Sequence, residues 1–227
     1  MLFATAFMPM FGMGGLTGIP LAFAPANLAL HDTYYVIGHF HYIVAPGTIF
    51  AIFAGVYFWH PKVTGRMMNE FLGKVHFWIS LVCLNGIFFP MFVQGMLGMH
   101  RRWYDGGQGW ELANQKVWGL TGFQWNLPMS ICAWVLGLAQ IPFIINFFWS
   151  IKHGREARSD NPWEATTLDW ATSTPPLHGN FAQPPIVYRG PYDYGVRGVE
   201  RDFCPQTERV VAGGPAGKGL GILTRMD

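Results

Sequence analysis

Four stretches of this sequence, residues 1–24, 33–59, 75–99 and 117–151, contain no Asp, Glu, Lys or Arg. Each is long enough to cross a bilayer, which takes about 20 apolar residues. A chain inside lipid must satisfy its own backbone hydrogen bonds, so the expected class is an all-α integral membrane protein. In the fourth stretch Asn126-Leu127-Pro128 reads as a helix start with proline in the first turn. The expected spans are therefore 1–24, 33–59, 75–99 and 127–151. Residues 1–24 do not read as a signal peptide. No basic segment leads them, and Pro9, Gly12, Gly14, Gly15 and Gly18 interrupt the apolar run. Glycine at that density suits a helix packed closely against others in a membrane.

The charges that do occur are unevenly placed. Residues 1–151 hold six of the 15 Lys and Arg and four of the 13 Asp and Glu. Ten charges cannot solvate a soluble domain of that size. A net charge of +2, with no basic cluster beyond Arg101-Arg102, argues against nucleic-acid binding. Cys83, Cys132 and Cys204 are too widely spaced to indicate a zinc site or a disulfide scaffold. Residues 152–227 are punctuated by Pro175-Pro176, Pro184-Pro185 and Gly213-Gly214-Pro215 and lack sustained periodicity. They read as an extended, irregular polar tail that packs on a partner rather than a domain with its own core.

Flanking charges give an orientation. Lys62, Arg66 and Lys74 separate the second and third spans, and Lys152, Arg155 and Arg158 follow the fourth. The positive-inside rule places both groups, and the tail, on the inner side. The loops at 25–32 and 100–116 then face outward. Arg101, Arg102 and Lys116 break the rule there. Either a short loop tolerates stray charges, or the arginine pair holds an anionic ligand at the membrane surface.

The chemistry concentrates in His31-Asp32-Thr33-Tyr34-Tyr35-Val36-Ile37-Gly38-His39-Phe40-His41-Tyr42. Histidines inside a span are costly and usually functional. His39 and His41 stand at i and i+2, about 200° apart on a helix, so they point to opposite faces. They would serve two centres rather than converge on one ion, with Phe40 near the space between. Neutral imidazole is the usual axial ligand of haem iron. The alternative is two buried histidines hydrogen-bonded to neighbouring helices. His31 and Asp32 lie at the water boundary, where a divalent cation with oxygen and nitrogen ligands is expected. Asp32 also reads as the helix N-cap. His60, His76, His100, His153 and His178 are scattered, and His76 reads as a hydrogen-bonded packing residue.

The run HDTYYVIGHFHYIV resembles the tenth-helix motif of subunit I of haem–copper terminal oxidases, the catalytic subunit of cytochrome c oxidase. GGLTGIPLA before it, from Gly14 to Ala22, and GMHRRWYD after it, from Gly98 to Asp105, are similar to the same family. The resemblance covers residues 1 to about 152, and the tail, with NPWEATTLDW and STPPLHGNF, looks like the inward extension of bacterial members. It implies helices nine to twelve of a twelve-helix bundle of the aa3 type. By the same resemblance His39 is the axial ligand of the high-spin haem a3, where oxygen is reduced, and His41 an axial ligand of the low-spin haem a. His31 and Asp32 match a magnesium or manganese site, Arg101 and Arg102 the pair that binds haem propionates, and Tyr34 and Phe40 residues that line the haems. Two guanidinium forks suit carboxylates. Asn27 departs from a common Asp in the propionate and proton-exit region, and His100 from a common Pro.

The resemblance also implies what lies elsewhere: the second low-spin ligand, the copper-B ligands and the proton-uptake residues. The expectation is a split subunit, with helices one to eight on a separate polypeptide. Subunit II with its CuA centre, subunit III and cytochrome c would be partners, in the bacterial cytoplasmic membrane. The implied reaction is reduction of oxygen to water coupled to proton translocation. A quinol oxidase of the same superfamily, or a membrane scaffold that holds no haem, are the alternatives. The joint presence of His39, His41, Arg101 and Arg102 weighs against the scaffold.

Overall fold

All four expected spans are essentially helical in the computed structural model, which describes residues 1–105, 108–109, 114–194 and 203–209. The turn signal Gly213-Gly214-Pro215 lies outside the described residues. Helix α1 spans Leu2–Ala22, and a short α2 (Ala24–Leu30) follows with Pro25 in its first turn. The expected loop at 25–32 is thus largely helical. The second span comprises α3 (Tyr34–Val44), a wide π-helical turn (Ala45–Phe50) and α4 (Ala51–Thr64). Pro46 explains the turn. It has no N–H to donate, and its ring crowds the carbonyl four residues back, so the helix widens before resuming. Helices α5 (Glu70–Met96) and α6 (Asn126–His153) complete four helices long and apolar enough to cross a membrane.

Three helix ends overshoot the charge-free windows. α4 runs on to Thr64. α5 starts at Glu70 because Asn69 caps it, accepting the Leu72 N–H at 3.1 Å, and Glu70 pairs with Lys74 one turn on at 3.0 Å. The end is pinned to α6, where Asn146 donates to the Asn69 carbonyl at 2.9 Å and accepts its N–H at 2.8 Å. α6 runs on through Lys152 and His153, cations that suit a helix C-terminus.

The chain divides into two compact units, Met1–Phe58 with Met68–His153, and Trp59–Met67 with Gly154–Asp227. In the first, α5 packs between α3 and α6, while α1 lies on α3. Phe3, Met10, Tyr42, Phe50, Phe77, Leu84 and Phe92 form its core. The opposite walls stay apolar and bare, with Trp134 of α6 80% exposed, as lipid-facing surface should be. This is an integral membrane protein.

The second unit differs from the bare tail expected of residues 152–227. Strand β1 (Arg66–Met67) pairs antiparallel with β4 (Arg155–Glu156), while β2 (Lys116–Val117) and β3 (Leu120–Thr121) form a hairpin within the first unit. Trp170 and Cys204 are buried in the second unit, and so is Lys62. The Lys62 ammonium donates to the carbonyls of Asp160 (3.1 Å) and Thr172 (2.5 Å) and to the Thr174 hydroxyl (3.4 Å), beside the Trp170 ring. Irregular loops acquire a core here by wrapping a satisfied charge, and no hydrophobic period announces it.

Candidate functional site

Thr33 caps α3. It is fully buried in extended backbone, donates to the Leu30 carbonyl at 2.7 Å, and its hydroxyl accepts the Tyr35 N–H at 3.3 Å. This corrects the expectation for Asp32. Asp32 has φ +58°, the left-handed region, and an N-cap needs extended backbone. Its carboxylate instead meets the Arg101 guanidinium at 2.5 and 2.8 Å. Backbone bonds close the same clasp: Arg101 N–H to the Asp32 carbonyl (2.9 Å), and Tyr34 N–H to the Met99 carbonyl (2.9 Å). The Arg101 hydrogen bond holds the Asp32 carboxyl below the usual aspartate range.

The His31 imidazole lies 3.5 Å from the other Asp32 oxygen, and both side chains are substantially exposed. No cluster of three metal-ligating side chains occurs among the described residues. Two donors nevertheless fit magnesium, which keeps several waters and takes few protein ligands. Arg102 is exposed at φ +70° and forms no ion pair among the described residues.

Along α3 the two histidines face different helices. His39 turns to α1. Its Nδ1 lies 2.9 Å from the Gly14 carbonyl and 3.3 Å from the Thr17 hydroxyl. The ring fits because Gly18 has no side chain; a Cβ there would stand 2.8 Å from His39 Cε1. His41 turns to α5, its ring stacked on Phe88 at 4.3 Å and on Phe40 at 4.4 Å. Its Nδ1 lies 2.9 Å from the Ile37 carbonyl. A carbonyl only accepts, so each Nδ1 carries the proton and each Nε2 keeps its lone pair. Neither Nε2 has a hydrogen-bond partner among the described residues. That arrangement fits an axial haem ligand, whose second nitrogen is normally held by a carbonyl.

Tyr34 is half-buried at the start of α3, and Phe40 is half-exposed beside His41. Thr17 and Phe88 carry no assigned role in the sequence reading, and Gly14 and Gly18 read there only as close-packing glycines, although their spacing of about one helical turn signals a groove. His76 is a packing residue, as expected. It is fully buried among Phe3, Phe53 and Phe143, with Nδ1 3.2 Å from the Tyr57 hydroxyl. Of the remaining histidines, His100 is exposed and its backbone bridges to Thr33 beside Arg101, His60 bonds the Arg66 carbonyl, His153 stacks on Trp149, and His178 is exposed.

Residues 1–134 match the profile of the family described as Cytochrome C and Quinol oxidase polypeptide I. Cytochrome c oxidase subunit 1 of Synechocystis sp. is 45% identical over 199 residues, covering 86% of this chain and 33% of that protein. The alternative cytochrome c oxidase subunit 1 of Bradyrhizobium diazoefficiens is 42% identical over 210 residues, 92% of this chain and 34% of that protein. The chain thus spans about a third of the length of these relatives. Among solved structures, a haem–copper terminal oxidase dimer shares the fold at a TM-score of 0.54 and 21% identity, over 67% of this chain and 26% of that one. With its paired histidines, its glycine groove and its arginine clasp, the chain belongs to the cytochrome c and quinol oxidase polypeptide I family.

Proposed function

We propose that this chain is the haem-ligating part of the catalytic subunit of a terminal oxidase. The complete enzyme would reduce oxygen to water with electrons from cytochrome c and move protons across the bacterial cytoplasmic membrane. One observation carries the reading: two imidazoles on opposite faces of α3, each with Nδ1 bound to a carbonyl and Nε2 without a hydrogen-bond partner among the described residues. Bound haem a, haem a3 and copper would supply the electron-transfer and oxygen chemistry. The chain's own residues would position them. His39 would hold the high-spin iron and His41 the low-spin iron. Their carbonyl partners fix ring orientation and raise ligand basicity. Arg102 and Arg101 would neutralise propionates, and His31 with Asp32 would hold magnesium beside them. Tyr34 and Phe40 would line the haem edges.

Residues beyond these 227 would supply the second low-spin ligand and the copper-B ligands, from helices one to eight of subunit I, on this polypeptide or a separate one. Subunits II, with CuA, and III would complete the assembly. The relatives are named as cytochrome c oxidases, which favours cytochrome c over a quinol as donor. The flanking charges favour the end of the bundle bearing Lys74 and Lys152 as the inner side. The test is a reduced-minus-oxidised spectrum and oxygen uptake of the complex purified through this chain. Two haems and cytochrome c-dependent oxygen uptake are expected. A haem-free complex without uptake would overturn the reading in favour of a scaffold.

A further inference from the structure

The connection between α5 and α6 carries a feature that haem binding does not use. Strands β2 and β3 are joined by the two-residue turn Trp118-Gly119, with φ of +50° and +82°. Such turns favour Asn-Gly or Asp-Gly, and a bulky residue at positive φ is strained. The strained residue is also exposed, Trp118 showing 68% of its surface. Its ring is not directed away from the bundle. It lies parallel to Phe89 of α5 at 6.1 Å and edge-on to Trp125 at 6.2 Å. Phe89 is seven residues before the end of α5, which is roughly 10 Å along the helix axis. The hairpin therefore folds back along the helix wall instead of standing off into water. Just beyond Trp125, on α6, which packs against α5, Leu127 and Ile131 are exposed apolar residues. Lys116, exposed on β2, adds a cation two residues from the ring.

We propose that this hairpin is a membrane-interface anchor, with Trp118 seated among lipid glycerol and upper acyl groups and Lys116 beside a lipid phosphate. An indole with an apolar body and one N–H suits that layer, and an ammonium complements the phosphate. The occupant is phospholipid because the ring, itself exposed, lies on the exposed Phe89 near the end of a membrane-spanning helix. The inference needs only that the four helices span a membrane and does not depend on haem binding.

The test places the full chain, with its accompanying proteins, in phosphatidylcholine vesicles brominated either near the headgroup or near the acyl-chain end. The emission of Trp118 is the difference between the unaltered protein and Trp118→Asn, a variant suited to the turn. Trp118→Phe, which keeps a ring against Phe89, gives a second baseline. The difference emission should lose most of its intensity to shallow bromine, less to deep bromine, and little to aqueous iodide. Quenching by iodide without quenching by bromolipid would place the ring in water and overturn the proposal. Quenching by neither would show that a protein partner covers it, and would overturn it equally.

Discussion

One backbone carbonyl decides which nitrogen of each histidine is free: Gly14 for His39, Ile37 for His41. The two arginines divide their work in a similar way. Arg101 is bound to Asp32, whereas Arg102 forms no ion pair among the described residues and is available to an anionic ligand. Arg102→Ala should lower the midpoint potential of bound haem by on the order of tens of millivolts, because a nearby cation stabilises the added electron. Arg101→Ala should lower it too and also release Asp32. Potentiometric titration reads both, and unchanged or raised potentials would count against propionate pairing. The Asp32 clasp has its own pH signature. Its carboxyl is held down by Arg101, so the contribution is present above the unfolded aspartate value of about 3.9 and is lost as pH falls through the lower native value. Bound magnesium would act in the same direction. Hydrogen exchange at the Arg101 and Tyr34 amides should therefore stay protected through the ordinary carboxylate range. In Asp32→Asn that protection should already be weak at neutral pH.

Helix crossings turn on single glycines. A Cβ at Gly95 would lie 2.1 Å from the Tyr35 backbone nitrogen, a clash that no rotamer relieves. Gly95→Ala should cost at least the ~1–3 kcal/mol typical of overpacking, read as a lower unfolding midpoint in detergent. Gly18→Ala meets only the His39 ring, at 2.8 Å. It should perturb the high-spin haem and spare the low-spin one, whereas Gly95→Ala should weaken both. The spans themselves were legible as charge-free runs, because lipid tolerates few charges. The helix ends were less so. The start of α5 depends on Asn146, 77 residues away in sequence. Lys62 read as a flanking surface charge, yet its acceptor Thr172 lies 110 residues on, and that contact buries it. Local pattern cannot report pairings at such separation. The opposing histidines were legible because a helix converts spacing into direction. Their carbonyl partners were not, since one sits on another helix.

At the scale of the whole molecule, one helix would serve two centres in the proposed reading. α3 lies between α1, which fixes His39, and α5, whose Phe88 backs His41. Removing one imidazole leaves the opposite face of the helix and its partners unchanged. The two sites should thus fail separately. A complex holding two haems, ligated from opposite sides of α3, is the central claim. It is tested most directly by optical and electron paramagnetic resonance spectra of His39→Ala and His41→Ala in the purified complex. His41→Ala should lose the low-spin signal and retain high-spin haem; His39→Ala should lose the high-spin signal, retain low-spin haem and abolish oxygen reduction. Loss of one and the same haem signal from both variants would contradict the account.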